Sequence, residues 1–325
     1  MPELRVNLDL LQRFEAGLDP YRPERSAIPA RLVGHSELCP TLMIGDRPQD
    51  FLVCGRMPMF ESAAEAERYI VLHRRYMRLL GERARVRVVP SIAVQVPNER
   101  TGRTVVYLVR EPVPEELMGH AVARRLAPAE VARLVLLALQ ETAKIFDFNR
   151  AHHAELELGF DARISHWAAS GYDPSHNALS ERTRLLYIDT SAPLLRRRGQ
   201  EQLDPELFLR SASLLLLPLV RRTFLPELLN RYYDFRRVAL DLIAGFQQAG
   251  RPELTLDLID SANWFFLAER QETHFKPIMP DELRRYHRYD ASIWRTYLML
   301  RRLDRAICRL RRRPYPYILP RGTYA

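Results

Sequence analysis

Lysine is almost absent from this chain of 325 residues. Among its 49 basic residues only Lys144 and Lys276 are lysines, and all the others are arginines. Any chemistry that requires a lysine must therefore use one of these two positions. The first 143 residues contain none, which excludes a lysine-based phosphate site in that part of the chain.

Cysteines and long apolar runs are also scarce. The three cysteines, Cys39, Cys54 and Cys308, match no metal-ligand spacing, and their odd number leaves at least one thiol unpaired. Reduced thiols are typical of the cytoplasm, and residues Met1–Arg5 do not begin a secretory leader. No apolar run approaches the roughly 18 residues of a membrane-spanning helix. We therefore expect a cytoplasmic protein with no transmembrane segment.

The composition is otherwise that of a globular protein with unevenly placed charge. Hydrophobic residues make up 47% of the chain, and neither the 13 glycines nor the 23 prolines form a repeat, which favours one large or two small domains. The formal net charge is +9, and residues 281–325 hold 12 arginines against four acids. The excess positive charge is therefore concentrated at the C-terminal end.

Periodicity divides the chain into three parts, of which the first two come before residue 112. Residues 1–30 predict an amphipathic helix over 7–18 followed by a proline-rich linker. Residues 31–111 predict a small β-sheet with one long helix. The elements expected in this second part are strands at 31–33, 38–44, 51–55, 86–96 and 104–110, and a helix at 62–82. The third strand is expected to end at Arg56.

The third part, residues 112–325, is predicted to be mainly helical. It begins at the extended crossing Glu111–Pro114, which its prolines stiffen. A helix over 129–148 is apolar around most of its circumference, so it belongs inside a domain. The other elements expected here are short strands at 156–160, 164–167 and 185–188, and helices at 205–249 with breaks, 252–268 and 281–313. The expected fold class is α+β.

Two aspartates follow short predicted strands in this third part. Asp161 is followed five positions later by His166, and Asp189 ends the apolar strand 185–188. Magnesium prefers oxygen ligands in tight geometry, so a carboxylate fixed at the end of a strand suits it. An aspartate in such a place is also an ordinary turn or capping residue. The residues alone leave both interpretations open.

The order of the elements, together with these aspartates, resembles the protein-kinase-like superfamily, and within it the choline and aminoglycoside kinase branch. The resemblance covers Arg31–Asp189 and extends to a bacterial family of this fold with no assigned function. It implies a two-lobed fold. The N-lobe would be a small antiparallel β-sheet with one long helix, and the C-lobe would be mainly α-helical.

The resemblance also implies roles for the two aspartates. In the family pattern a catalytic aspartate is followed five positions later by a metal-binding asparagine, and a second metal-binding aspartate ends a later strand. Asp161 would therefore be the catalytic residue that orients the acceptor hydroxyl. Asp189 and His166 would hold Mg²⁺, or Mn²⁺, since an imidazole is a softer ligand than the asparagine it replaces.

The nucleotide site that the resemblance implies lies between the two lobes. ATP would lie against Glu111 and Val113, and Arg56 would touch its phosphates where the family has a lysine. Glu65 or Glu67 on the following helix would position Arg56. Arginine does not reproduce the point charge of a lysine, and the turn between the first two strands has a single glycine to approach phosphates, so transfer is expected to suffer.

Three functions follow as hypotheses. The first is an atypical kinase that transfers phosphate from ATP to the hydroxyl of a small molecule. The second is a catalytically impaired pseudokinase that senses a nucleotide or binds a partner protein. The third is a basic scaffold that binds a polyanion or an acidic partner through its arginine-rich C-terminal helix, where Arg301, Arg305, Arg309 and Arg312 are predicted to form one stripe.

Two further groups of reactive residues favour ordinary structural roles. His152 and His153 could join a zinc cluster, but adjacent histidines point in different directions and fit no zinc spacing, which favours exposed loop residues. Cys39 lies near His35 and could be a nucleophile. Its apolar neighbours favour a small buried core residue instead.

Overall fold

The computed structural model describes residues 4, 6–36, 38–45, 51–210, 229–271 and 274–320. Its N-terminal half is built on an antiparallel sheet with the strand order β1-β2-β3-β5-β4. The strands are β1 (Ala30–His35), β2 (Pro40–Ile44), β3 (Leu52–Phe60), β4 (Ser91–Asn98) and β5 (Arg103–Arg110). The strands predicted at 86–96 and 104–110 pair as β4 and β5, although β4 begins only at Ser91, and Gly102 takes the positive φ of +66° that the turn between them requires. The predicted end of the third strand at Arg56 is wrong, because apolar residues carry β3 on to Phe60.

Two helices pack near this sheet, and both begin at a side-chain cap. Helix α1 (Leu8–Gly17) starts where Asn7 Oδ1 accepts a hydrogen bond from the amide of Leu10 at 2.9 Å. Helix α2 (Ala63–Arg78) starts where Ser62 Oγ accepts from the amide of Glu65 at 3.2 Å, and it continues as a π-helical turn to Arg83. The two helices predicted in this half are therefore confirmed.

Strand alternation decides which helix each side chain of the sheet meets. Side chains of alternate residues point to opposite faces, so Cys54 and Tyr107 pack with the buried Phe14 of α1. Met57 and Leu108 pack on the other face with α2. Both faces of the sheet are thus covered by apolar cores.

The C-terminal half is mainly helical with short strands between the helices. Its elements are α3 (Gly119–Arg125), α4 (Pro128–His152), β6 (Leu156–Leu158), β7 (Trp167–Ser170), β8 (Arg184–Tyr187), β9 (Leu195–Arg197), β10 (Gln200–Glu201), α5 (Glu206–Leu209), α6 (Phe235–Gln248), α7 (Thr255–Trp264) and α8 (Pro280–Leu310). Strands β6, β9 and β10 form one small sheet, and β7 pairs with β8. The predicted α+β class is confirmed.

Most predicted elements of this half are confirmed, with one correction. The strand expected at 164–167 is wrong, because Ile164–His166 forms a 3₁₀ turn and the strand begins at Trp167. Part of the helical region expected at 205–249, residues 211–228, lies outside the described residues. Helix α4 supplies the centre of the core, as its apolar composition predicts. Within the described ranges, no helix is both long enough and apolar enough to cross a membrane.

A buried ion pair connects α1 to the sheet. Arg56 on β3 is fully buried, and its Nη2 and Nε donate to the two carboxylate oxygens of Glu15 at 2.6 and 2.9 Å. Asn98 and Tyr107 donate to the same carboxylate, and the carbonyl of Pro316 accepts from Arg56 Nη1 at 2.6 Å. Burial favours the neutral acid, but the Arg56 charge and these hydrogen bonds lower the pKa of Glu15 overall.

Removing one partner of this ion pair should destabilise the fold strongly. In Arg56→Met the Glu15 carboxylate stays buried without its cation, and we expect the free energy of unfolding to fall by about 4 kcal/mol. The double variant Glu15→Gln with Arg56→Met should recover part of this loss, because no buried charge remains. Urea unfolding at neutral pH measures both values.

The exposed pair of Arg13 and Asp9 provides the matched control, since its side chains are 63% and 75% exposed. Arg13→Met should change the free energy of unfolding by less than about 0.5 kcal/mol. A loss in Arg56→Met no larger than that in Arg13→Met would contradict the importance of the buried pair.

Candidate functional site

Two neighbouring loops carry the predicted site residues. Asp161 follows β6 and His166 ends the 3₁₀ turn before β7, while Asp189 follows β8. Strands β7 and β8 pair along their full length, and the amide of Ile188 donates to the carbonyl of His166 at 2.9 Å. The pairing therefore places the loop of Asp161 and His166 beside the segment of Asp189.

Buried aromatic side chains hold the first of these loops in place. The rings of Phe160, Trp167 and Tyr187 lie within 5.7 Å of one another, centroid to centroid. Trp167 Nε1 donates to the carbonyl of Ala162 at 3.0 Å, and Tyr76 on α2 donates to a carbonyl of the same loop at 2.8 Å. The Trp167 indole and the Tyr76 hydroxyl are thus satisfied by the loop backbone, which helps to fix the position of Asp161.

His166 lies between the two aspartates. Its Nδ1 is 3.4 Å from Asp161 Oδ1, and its Nε2 is 3.4 Å from Asp189 Oδ2. The three side chains are 13%, 15% and 22% exposed in the order His166, Asp161, Asp189, so solvent screens their charges only partly. The structure therefore brings together the three residues to which the sequence assigns catalysis and metal binding.

Arg163 holds the Asp161 carboxylate from the other side. Arg163 Nη2 lies 2.6 Å from Asp161 Oδ2, and Nε lies 3.1 Å from both oxygens. The same guanidinium is 3.9 Å from a carboxylate oxygen of Asp241 on α6, and Tyr286 on α8 donates to Asp241 at 2.7 Å. Asp161 is thus part of a buried network that extends into the helical core.

These contacts shift the proton affinities of the site. Burial favours neutral His166, but the charges of Asp161 and Asp189 outweigh it and raise the pKa of His166. Burial would raise the pKa of Asp161, yet the Arg163 charge and then His166 hold that pKa well below its usual range. The surroundings of His166 therefore favour its charged form, since both ring nitrogens face carboxylates, and Arg163 binds Asp161 from the other side.

The turn between β1 and β2 reaches the same site. Ser36 Oγ lies 3.2 Å from Ser191 Oγ, and the amide of Ser191 donates to Asp189 Oδ1 at 3.0 Å. Tyr69 on α2 donates to the carbonyl of Ser191 at 2.7 Å. The turn that would cover nucleotide phosphates in a kinase-like fold is therefore hydrogen-bonded to the segment that follows Asp189.

A small cavity remains between these elements. Its volume is about 20 Å³, and its walls include Ser36, Asp161, Arg163, Asp189 and Ser191. A single water molecule needs roughly 10–15 Å³ by the same measure, whereas pockets for drug-sized ligands occupy roughly 300–1,000 Å³. In this arrangement the cavity has room for water but not for ATP.

The arrangement of donors does not fit the metal ion that the sequence implies. Both oxygens of Asp161 bind Arg163, and the oxygens of Asp189 face the ring of His166 and the amide of Ser191. A protonated imidazole has no lone pair to offer a cation. Across the described ranges, no group of three or more His, Cys, Asp or Glu side chains is arranged to hold a metal ion.

The structure does not bring the predicted phosphate-binding residues to this site. Arg56 lies on the α1 face of the sheet, bound to Glu15, because strand alternation gives the α2 face to its neighbours. Glu65 caps the start of α2 and binds Arg210 at 2.6 Å. Glu67 accepts a weak hydrogen bond from Gln95 at 3.4 Å. Neither acid is a partner of Arg56.

The predicted crossing between the two halves does lie beside the site. Val113 packs with Val89, Ala168 and Ile188, and the last of these directly precedes Asp189. The amide of Glu111 donates to the carbonyl that precedes β4. An apolar surface is therefore present at the crossing, against which the resemblance would place ATP.

The other candidate residues take structural positions. Cys39 is buried, and burial followed by the Asp189 charge raises its pKa to about 12, which makes it an inert core thiol. The ring of His152 stacks on Phe148 at the end of α4, so it is half-buried, whereas His153 is exposed. Arg301 is not part of an exposed stripe, because it is 2% exposed with its guanidinium 4.4 Å from the ring of Tyr317.

Four residues of the site were missed by the sequence interpretation. Arg163 carried a usable signal, since a cation two positions after a buried acid can fold back onto it. Asp241 also carried one, because a carboxylate inside an apolar helix needs a buried partner. Ser36 and Ser191 are separated by 155 positions, and no local pattern connects them.

Comparisons with known proteins identify a family but no activity. Residues 46–305 match the sequence model of a family described as "Family of unknown function (DUF6206)". The match spans about four-fifths of the chain and includes Asp161, His166 and Asp189, so the chain belongs to this family. A search of the curated proteins finds no match.

The raised pKa of His166 predicts a specific pH dependence of stability. A raised pKa means that the folded state binds the imidazole proton more tightly than the unfolded state, whose value is near 6.5. The stabilisation is complete below pH 6.5 and is lost as the pH rises through the folded-state pKa. We expect wild type to exceed His166→Asn in free energy of unfolding by more at about pH 6 than at about pH 9.

The difference between the two proteins is the useful quantity, because buried His73 and His35 act in the opposite direction. Burial lowers the pKa of His73 to about 4 and that of His35 to about 3, so their stabilisation is lost as the pH falls below 6.5. His176→Asn, at an exposed histidine paired with Asp173, is the matched control for the loss of an imidazole. A difference for His166→Asn that stays constant with pH would contradict the imidazolium assignment.

Proposed function

We propose that this member of the DUF6206 family is a kinase-like protein that does not transfer phosphate and serves as a binding protein. The architecture supports a kinase-like, two-lobed fold. A five-stranded antiparallel sheet with a helix after its third strand is followed by the extended segment at 111–114 and a mainly helical half. Along the chain, the paired strands β7 and β8 lie between Asp161 and Asp189, as the resemblance requires.

The observation that carries the proposal is the position of His166. In a working phosphotransferase of this pattern the metal is held by the strand-end aspartate and by the residue five positions after the catalytic aspartate, and it neutralises charge on the phosphates. Here the ring of His166 lies between Asp161 and Asp189 and contacts both carboxylates at 3.4 Å. The chain supplies its own positive charge at the point where a metal ion would be needed.

The other parts of a phosphate site support the same conclusion. Arg56 is fully buried in its ion pair with Glu15 on the far face of the sheet. Lys144, on α4, binds Glu141 at 2.6 Å. The turn at Ser36 is bonded to Ser191 across the space that phosphates would occupy. A nucleotide would have to displace this contact to enter.

Phosphoryl transfer to a small-molecule hydroxyl remains the competing hypothesis, and one observation favours it. The carboxylates of Asp161 and Asp189 do converge on a common centre, as the reaction requires. This hypothesis needs the His166 ring to leave that centre and the Ser36 turn to open. The two hypotheses therefore predict different results for wild type, and also for a variant without the imidazole.

Replacing His166 by the asparagine of the family pattern should create cation binding that wild type lacks. His166→Asn removes one of the two internal cations, so that Arg163 remains beside Asp161 and Asp189 loses its neighbouring imidazole. We expect millimolar Mg²⁺ or Mn²⁺, alone and then with ATP, to leave the melting temperature of wild type unchanged and to raise that of the variant. At about 100 times the dissociation constant the shift should be about 5 °C.

His176→Asn controls for the loss of a histidine elsewhere, and a radiolabelled γ-phosphate assay with a mixture of hydroxyl acceptors follows transfer directly. Wild type should transfer nothing above the level of Asp161→Asn. Transfer by wild type that Asp161→Asn or Asp189→Asn abolishes would overturn the proposal and establish the kinase hypothesis. Equal Mn²⁺ shifts in wild type and in His166→Asn would also count against it.

A further inference from the structure

Helix α8 has one face that is anchored and one that is exposed. The anchored face contains buried Leu283, Leu298 and Leu300, and its polar residues bind the helical core. Glu282 lies 2.5 Å from Arg236 on α6, and Trp294 packs edge-on against His35 at the end of β1. The helix is therefore held along its length, and its outer face has a fixed orientation.

The outer face repeats with a period of seven residues. Spacings of alternately three and four residues define the a and d positions of a coiled coil, and in α8 they select one exposed stripe. The stripe consists of Tyr289, Ser292, Thr296, Met299, Leu303, Ala306 and Leu310, all exposed. Met299, Leu303 and Leu310 are 60%, 48% and 85% exposed, which is unusual for large apolar side chains.

Arginine occupies every g position beside this stripe. Arg288, Arg295, Arg302 and Arg309 are seven residues apart and exposed. None of the four forms an ion pair with a carboxylate in the parts of the chain that the structure describes. The e positions on the other side, Ile293, Leu300 and Ile307, belong to the anchored face. The exposed face is thus a coiled-coil seam with positive charge along one edge.

Charge and shape select the partner for this seam. In coiled coils the residues at e and g choose the partner by charge, so four arginines call for glutamate or aspartate on the opposing helix. A second antiparallel copy of α8 would place arginine against arginine. A parallel copy would need the e positions, which the fold already uses. The apolar stripe is also narrower than the wide apolar face of a helix that lies in a membrane surface.

We propose that the outer face of α8 binds an amphipathic helix of another protein, one with apolar residues at a and d and acidic residues at e and g. This inference rests on the proposed function in one way: it names the class of partner that the binding protein would bind. Its test contains no nucleotide or metal, so failure here and failure of the cleft assignment are separate results.

The test uses the full chain and two synthetic peptides of four heptads each. Both peptides carry Leu at a and d, and they carry either Glu or Lys at every e and g position, so that like charges prevent each peptide from pairing with itself. Fluorescence anisotropy of the labelled peptides measures binding. We expect the Glu peptide to bind at least about tenfold more tightly than the Lys peptide, because four weak ion pairs act together.

Charge reversal at the seam should reverse the preference. The variant with Arg288→Glu, Arg295→Glu, Arg302→Glu and Arg309→Glu should bind the Lys peptide better than the Glu peptide. A control with the same change in net charge, made at exposed arginines elsewhere, should keep the wild-type preference; its four sites are Arg68, Arg74, Arg78 and Arg182. Leu303→Ser with Leu310→Ser should weaken the Glu peptide about tenfold while leaving the melting temperature unchanged.

Three results would overturn the proposal. These are no binding of the Glu peptide at about 100 μM, equal binding of both peptides, or an unchanged preference in the four-site seam variant. Sedimentation of the chain with phosphatidylserine vesicles, lost in the seam variant and accompanied by no preference for the Glu peptide, would assign the face to a lipid surface instead.

Discussion

A single imidazole between two carboxylates organises the candidate site of this protein. Asp161 and Asp189 are brought to within reach of one ring by the pairing of β7 with β8, and two buried acids at that distance require positive charge. His166 and Arg163 supply it from the same short loop. A site that is neutralised from within the chain has little electrostatic reason to bind a metal ion. The residues that resemble those of a phosphotransferase are therefore ion-paired with one another and with Arg163.

The sheet shows the same internal use of charge. Arg56, the cation nearest to the expected phosphate position in the sequence, is bound to Glu15 of α1 and to the carbonyl of Pro316. This contact joins the first helix, the third strand and the C-terminal segment in one buried cluster. Arg56 thus stabilises the fold on the α1 face of the sheet. The α2 face of β3 carries its neighbours Gly55 and Met57 instead. A Cβ atom added at Gly55 would lie only 2.8 Å from Cys39 Sγ. The space beside Gly55 is therefore filled by the buried Cys39 side chain.

Helix α8 differs from these buried networks because its arginines remain exposed on one face. Its inner face is bonded to α6 and packs against β1, which links the helical half to the turn that covers the candidate cleft. Arg301 is buried between aromatic rings, and Arg305 is half-buried over the ring of Tyr21. Charge that is internally paired stabilises the fold, and charge that is left in solvent at regular spacing is available to a partner. Helix α8 contains both kinds of arginine, buried on its inner face and exposed on its outer face.

Much of the architecture follows from the sequence alone, because local patterns report local structure. The patterns at 62–82, 104–110 and 129–148 each predict their element, and the α+β class follows from the order of the elements. The contact between Asp161 and His166 is also local, because the two residues are five positions apart. The remainder depends on contacts between distant residues. Strand alternation turned Arg56 away from the cleft, and Ser36 met Ser191 across 155 positions. Only the packing of the elements decides which buried charges meet, and so whether acids that resemble a metal site are left open or are neutralised by the chain itself.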